Sequence, residues 1–190
     1  MCVDRIIFPI QTLGPGSRIA LWVMGCPHKC NGCANPELWE VDRAKNLPAN
    51  KLIRIIKGII EKYEVNGITV TGGEPMAQAT SLHEVLNLLD LPNDFDVLVF
   101  TGYTMDELSG FRNKKIDSLL AKIDVLVDGR YMNARNSNSP LRGSNNQNII
   151  YLNEGVREKY ESYLQKGRQI QNLFYENSLI SIGIHGKGQI

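Results

Sequence analysis

The apolar positions of this chain follow two alternating rhythms. Residues 18–25, "RIALWVMG", form a short apolar run rich in strand formers that leads straight into a loop holding three cysteines. Residues 48–64, "PANKLIRIIKGIIEKYE", set Leu52, Ile55, Ile56, Ile59, Ile60 and Tyr63 at helical intervals, with Pro48 and Asn50 as start signals. "GITVTGGEP" (67–75) then reads as a buried strand broken by two glycines, and "MAQATSLHEVLNLLD" (76–90) as a second helix. The strand "FDVLVFTG", helical material over 104–122, the strand "IDVLVDG", a polar loop and the strand "NIIYL" continue the alternation. Past Leu152 come a helical stretch and "LFYENSLISIGIHGKGQI", read as one last strand with a glycine-rich tail.

Strands that alternate with helices are joined by right-handed crossovers, which predicts an α/β fold with a parallel sheet and outer helices. Ligands of such sheets gather at the C-terminal ends of the strands. Here those ends carry "GCPHKCNGC", "TGGEP", "TGY" and "DGRY", each with glycine or charge where backbone must approach something closely, so one ligand could touch all four. No repeat or linker interrupts the pattern, and a single domain over 1–190 is expected, with a core of about 14–152 and an extension over 153–190. The asparagine-rich stretch 129–148 is expected to be an ordered polar loop.

Composition narrows the function classes. With 43% hydrophobic and 22% charged residues among 190, the chain is an ordinary globular one. Its 21 Lys and Arg nearly balance 20 Asp and Glu, which leaves no positive field to concentrate nucleic acid or anionic lipid. Asp4, Pro9 and Gly14 interrupt the N-terminus where a signal peptide needs an apolar core, and no 18-residue apolar run occurs. A cytoplasmic protein with no membrane partner is expected, and cysteines in such a compartment more often serve metals or catalysis than disulfides.

Cys26, Cys30 and Cys33 can converge from one short loop, and no cysteine follows them. A structural zinc site wants four closed ligands, which here would require His28 or the distant Cys2. An iron–sulfur cube held by three thiolates instead keeps one iron open for a substrate or cofactor, and thiolate is the soft ligand such iron takes.

Followed in order by "GGEP" at 72–75, the three cysteines resemble the radical S-adenosylmethionine (SAM) superfamily. "GCPHKCNGCANPELWE", "TGGEPM", "TGYTMDEL" and "VDGRY…LRGSNNQNIIYL" extend the likeness, over about Gly14 to Leu152, to the small activases of glycyl-radical enzymes, in particular those of anaerobic ribonucleoside-triphosphate reductase. The resemblance implies a partial, incomplete TIM-like β/α barrel of the radical SAM type, with an open side that a protein partner could fill. It implies a [4Fe-4S] cluster on Cys26, Cys30 and Cys33, and SAM held around Thr71, Gly72, Gly73, Glu74 and Pro75, with Glu74 accepting from the SAM ammonium. It also implies a glycyl-radical enzyme as protein substrate and a flavodoxin- or ferredoxin-type electron donor.

Further roles follow from position. Asp128 and Arg130 resemble the acidic and basic pair found at this strand end in the activases and are expected to face SAM or the substrate glycine, a loop salt bridge being the alternative. Thr101, Gly102 and Tyr103 are candidates for the ribose or adenine, although a helix cap explains "TGYT" nearly as well. His185 and Lys187 are candidates to close the pocket, and Arg142, Ser144, Asn145 and Gln147 to meet the partner's glycine-bearing peptide. Many superfamily members carry an aromatic residue just before the third cysteine to cover the adenine. That position is Gly32 here, so the adenine must be held elsewhere.

Overall fold

The computed structural model describes residues 1–186. Six strands form one sheet in chain order: β1 (Val3–Ile10), β2 (Arg18–Val23), β3 (Gly67–Gly72), β4 (Asp96–Phe100), β5 (Val125–Asp128) and β6 (Asn148–Tyr151). Strands β2 to β5 are parallel, while both edge strands run antiparallel to their neighbours. Within the described residues β1 pairs only with β2 and β6 only with β5, so the sheet stays open and no closed barrel forms.

The parallel pairs are linked by the helices that periodicity predicts. Helix α1 (Ala49–Lys62) buries Leu52 and Ile56, one turn apart, and α2 (Ala79–Leu88) buries Leu82, Val85 and Leu86. The third crossover is two short helices, α3 (Met105–Gly110) and α4 (Lys114–Leu120), separated where Arg112 takes a positive φ of 47°. Thr104 opens α3 with a reciprocal capping box: its hydroxyl accepts from Glu107 N at 3.2 Å, while Glu107 accepts from Thr104 N at 2.8 Å.

Alternation along each strand divides two cores. Ile19, Leu21, Val23, Ile68, Val70, Val97, Val99 and Leu126 face α1 to α4. Ala20 and Trp22 face the other way, where they meet the C-terminal hairpin β7 (Ile170–Tyr175) and β8 (Ser178–Gly183), and Leu98, Val125 and Val127 meet Tyr160 and Tyr163 of α5 (Arg157–Leu164). The extension therefore completes the fold by covering the sheet's second face.

Four details depart from the sequence reading. The sequence pattern assigns no element to "VDRIIFPI", yet it forms β1, which pairs with β2 at the edge, where Pro9 and an irregular ladder are tolerated. Strand β6 is antiparallel because only a single helical turn, Asn133–Arg135, lies between it and β5, and a parallel return needs a full crossover. The C-terminal strand is a hairpin, turning at Glu176 and Asn177, both with positive φ. The helix expected from residue 76 begins as a 3₁₀ turn, Pro75–Gln78, because the Glu74 carboxylate caps it at Met76 N. No helix among the described residues is long and apolar enough to cross a membrane.

Candidate iron–sulfur and cofactor site

The C-terminal ends of the four parallel strands enclose one cleft. It is lined by Cys26, Cys30 and Cys33 from the loop after β2, by Thr71 to Glu74 at the end of β3 and just beyond it, by Phe100, Thr101 and Gly102 at the end of β4 and just beyond it, and by Gly129 and Tyr131 after β5. Gly183, Ile184 and His185 of the C-terminal segment close one side. The three thiols are partly buried. Desolvation pushes the Cys26 and Cys30 thiols up, opposed by backbone N–H groups of His28 and Lys29 at Cys26 and of Tyr131 at Cys30. Asn35 N also donates to Cys33 Sγ at 3.4 Å. Such N–H donors favour a thiolate over a thiol, which is the form that ligates iron. Among the described residues, no three Cys, His, Asp or Glu side chains close on a single ion-sized point; the three thiols line the cleft together.

Glu74 is fully buried at the centre of the wall. Oε1 accepts from Met76 N at 2.9 Å and Thr101 Oγ1 at 2.8 Å, and Oε2 accepts from Gly102 N at 2.7 Å. The fourth partner is His28 Nε2, 3.1 Å from Oε2. Arg130 Nε donates to His28 Nδ1 at 3.1 Å, and since a guanidinium can only donate, the ring's own hydrogen sits on Nε2 and points at Glu74. Arg130 also bonds Glu107 at 3.0 Å. A chain Glu107–Arg130–His28–Glu74–Thr101 thus ties the cysteine loop to three strand ends. Gly102 makes this possible: a Cβ there would lie 2.3 Å from the His28 ring.

The glycines after β3 serve the backbone. Gly73 N donates to Val23 O at 2.7 Å and Glu74 N to Gly25 O at 2.8 Å, and a Cβ on Gly73 would lie 2.6 Å from Gly25 O. This close approach brings "TGGE" against the cysteine loop.

Of the residues singled out in the sequence, the three cysteines, Thr71, Gly72, Gly73, Glu74, Thr101 and His185 all line the cleft. Pro75 is buried behind it. Tyr103 packs edge-on against the His28 ring, with centroids 4.4 Å apart. Asp128 is buried and committed to the fold, accepting from Met105 N at 2.8 Å and from Asn148 N and Nδ2 at 3.1 and 2.9 Å. Arg130 does not pair with it and reaches the cleft only through His28. Ser144 and Gln147, expected to offer their polar groups to a peptide, spend them internally: Ser144 Oγ accepts from Met132 N, and Gln147 bonds Gly143 N, Ser144 N and Gly129 O. Lys187 lies outside the described residues.

Two features of the site escape a sequence reading. Arg168 uses all five guanidinium donors on Asn138, Ser139, Arg142, Gly143 and His185, joining the asparagine-rich loop to the C-terminal wall. No local signal marks it, since its partners lie 17 to 30 residues away. Trp39 Nε1 and His185 Nδ1 are buried without a partner on residues that line the cleft, which is where a ligand's acceptors or donors would be matched.

Comparison with known proteins decides the family. Residues 12–150 match the model of the 4Fe-4S single cluster domain, and within that span Cys26, Cys30 and Cys33 are the only cysteines. The anaerobic ribonucleoside-triphosphate reductase-activating protein of Enterobacteria phage T4 is 30% identical over 161 residues, covering 82% of this chain and 97% of its own. Its counterparts in Vibrio cholerae (34% over 149 residues, 75% and 93%) and Escherichia coli (31% over 153 residues, 76% and 96%) are similarly close. The chain belongs to this family of activating proteins. Like the family model it matches, it is an iron–sulfur protein, and the cleft of this activating-protein homologue is the place among the described residues where cysteine sulfur is gathered.

Proposed function

We propose that this chain is a radical SAM enzyme that generates a glycyl radical on anaerobic ribonucleoside-triphosphate reductase. The observation that carries the reading is the sharing of one cleft by three thiols and the "TGGE" turn at the strand ends. Cys26, Cys30 and Cys33 would hold a [4Fe-4S] cluster, since three thiols on one cleft are the soft donors that would ligate three irons of a cube. SAM would occupy the cleft between the thiols and Thr71, Gly72, Gly73, Thr101 and His185. When bound, the cluster supplies the low-potential electron that splits SAM, and the adenosyl fragment takes hydrogen from the partner's glycine.

The chain's own residues prepare that chemistry. The open six-stranded sheet is read as an incomplete β/α barrel, with the C-terminal wall closing one side of the cleft that carries the thiols. Glu74 orders four donors around one carboxylate, and accepting the SAM ammonium there requires one to yield; His28, which rides on the cluster loop, is that donor. Arg130 then positions His28 from behind, and Asp128 fixes the end of β5 that carries Arg130. A flavodoxin- or ferredoxin-type donor in a reducing cytoplasm would supply the electron.

The test is anaerobic reconstitution with iron and sulfide, reduction by dithionite with SAM, and chromatography for 5′-deoxyadenosine, with Cys30→Ala as control. Deoxyadenosine from the native chain alone, followed by a glycine-centred radical on added reductase, is the expected result. A protein that binds one zinc and leaves SAM intact would sink the reading.

A further inference from the structure

We propose that Tyr131 supplies the aromatic face on which the adenine of SAM rests. The assignment depends on the reading that the cleft takes SAM, and it concerns a residue that the cysteine and "GGE" motifs do not mark. A purine in a protein site is held by a flat apolar surface within the cleft, and Tyr131 borders the cleft beside the thiols. It shares that lining with Cys30, so one wall of the cleft carries both a cluster ligand and the ring.

The surroundings hold this ring by its edges. A Cβ on Gly32 would lie 3.4 Å from Tyr131 Cε1, and one on Gly143 would lie 2.8 Å from Cδ2 and 3.2 Å from Cε2. Opposite edges of the ring therefore meet two positions that carry no side chain. Gly32 has φ +75°, a conformation that an aromatic residue would adopt only under strain, so the loop before the third cysteine cannot readily provide the surface itself. At the far end the hydroxyl donates to Asn133 Oδ1 at 3.1 Å and accepts from Asn136 Nδ2 at 3.2 Å, and the same amide reaches His185 O at 3.3 Å. The asparagine-rich loop thus anchors the ring and links it to the C-terminal wall. Of the other aromatic side chains that border the cleft, Phe100 packs into both cores of the second face and His28 is held between Glu74 and Arg130. Trp39 also borders it, and photolabel attached to its peptide instead of that of Tyr131 would assign the stacking to the indole.

The experiment measures SAM binding to the anaerobically reconstituted protein by equilibrium dialysis, for the native chain, Tyr131→Phe and Tyr131→Leu, with iron and sulfide content determined on the same samples. Losing a stacked base costs on the order of tenfold in affinity. Tyr131→Leu should weaken SAM binding by about that factor at unchanged iron content, while Tyr131→Phe stays within about twofold. Equal affinity in all three overturns the assignment. In parallel, 8-azido-S-adenosylmethionine photolysed on the native protein should attach to the peptide carrying Tyr131, a readout that needs no variant to fold; attachment only to other peptides overturns the assignment as well. A native protein that assembles its cluster yet binds no SAM defeats the reading of the cleft itself, and this assignment with it.

Discussion

The two ends of the parallel sheet both carry buried charge matched inside the chain, and they differ in what lies beside it. At the N-terminal end Arg18 and Asp96 are fully buried and form a two-pronged pair, Arg18 Nη2 to Oδ1 at 2.8 Å and Nη1 to Oδ2 at 3.1 Å. Arg18 spends its remaining donors on Thr69 Oγ1, Pro15 O and Ile68 O, and Tyr160 and Lys159 complete the carboxylate. Gly67 leaves the room, since a Cβ there would lie 2.5 Å from Arg18 Nη1. At the C-terminal end the strands instead open into a cleft bordered by glycines, thiols and the two unmatched nitrogens of Trp39 and His185. A buried charge with every partner inside the chain holds the fold, whereas polar atoms left unmatched beside a cavity mark where something else belongs.

The largest expected effect comes from breaking the closed end. Asp96→Ala leaves the Arg18 guanidinium buried without its counter-charge and should cost about 3–5 kcal/mol. Urea unfolding of the metal-free protein measures it. If the proposed function holds, the variant that does fold should cleave SAM as the native chain does, because the change lies at the opposite end of the strands; unchanged stability would mean that the pair contributes nothing beyond its own desolvation.

Next comes Glu74→Gln at the open end. The amide keeps the shape but turns a donor toward two of the four donors that now converge on the carboxylate, which should cost about 1–3 kcal/mol. It should also release the cysteine loop from β3 and β4, so the reconstituted variant should lose iron faster to a chelator than native protein. Iron retained at the native rate would show that His28 does not tie the loop.

How far the sequence could reveal these two ends differs for a physical reason. The cleft was legible because its chemistry is local: three cysteines within eight positions, and glycines and charges packed into each strand-to-helix turn. Helices α1 and α2 were legible from period alone. The closed end was not, because Arg18, Thr69, Asp96 and Tyr160 are separated by up to 142 residues and each looks ordinary in its own segment. The same holds for Arg168. Asp128 is harder to read: its place at the end of a buried strand suggests a ligand contact, and in the fold three donors from α3 and β6 already bond its carboxylate.

A smaller effect appears in acid. Burial opposes ionisation of Asp96, but Arg18, Lys159 and Tyr160 outweigh it and hold the carboxyl below its ordinary range. A depressed folded pKa gives stability that is complete above the unfolded value, about 3.9, and is lost as pH falls through the lower folded value. The urea midpoint of the native chain should therefore drop between about pH 4 and pH 3 more steeply than that of Asp96→Asn. Parallel curves would mean that other carboxylates govern the acid response.

The smallest effect should come from the same carboxylate's other cation. Lys159 Nζ lies 2.5 Å from Asp96 Oδ2, closer than either Arg18 nitrogen, so distance alone would rank it first. Burial reverses the ranking. The Lys159 side chain is 36% exposed against 0% for Arg18, so water already solvates the ammonium and can replace it at Asp96 when it is removed. Lys159→Met keeps the stem and should cost no more than about 1 kcal/mol, a surface-pair value. A loss approaching that of Asp96→Ala would instead mean that the lysine is as much a part of the closed end as the arginine, and that the contrast between the sheet's two ends rests on distance rather than on exclusion of water.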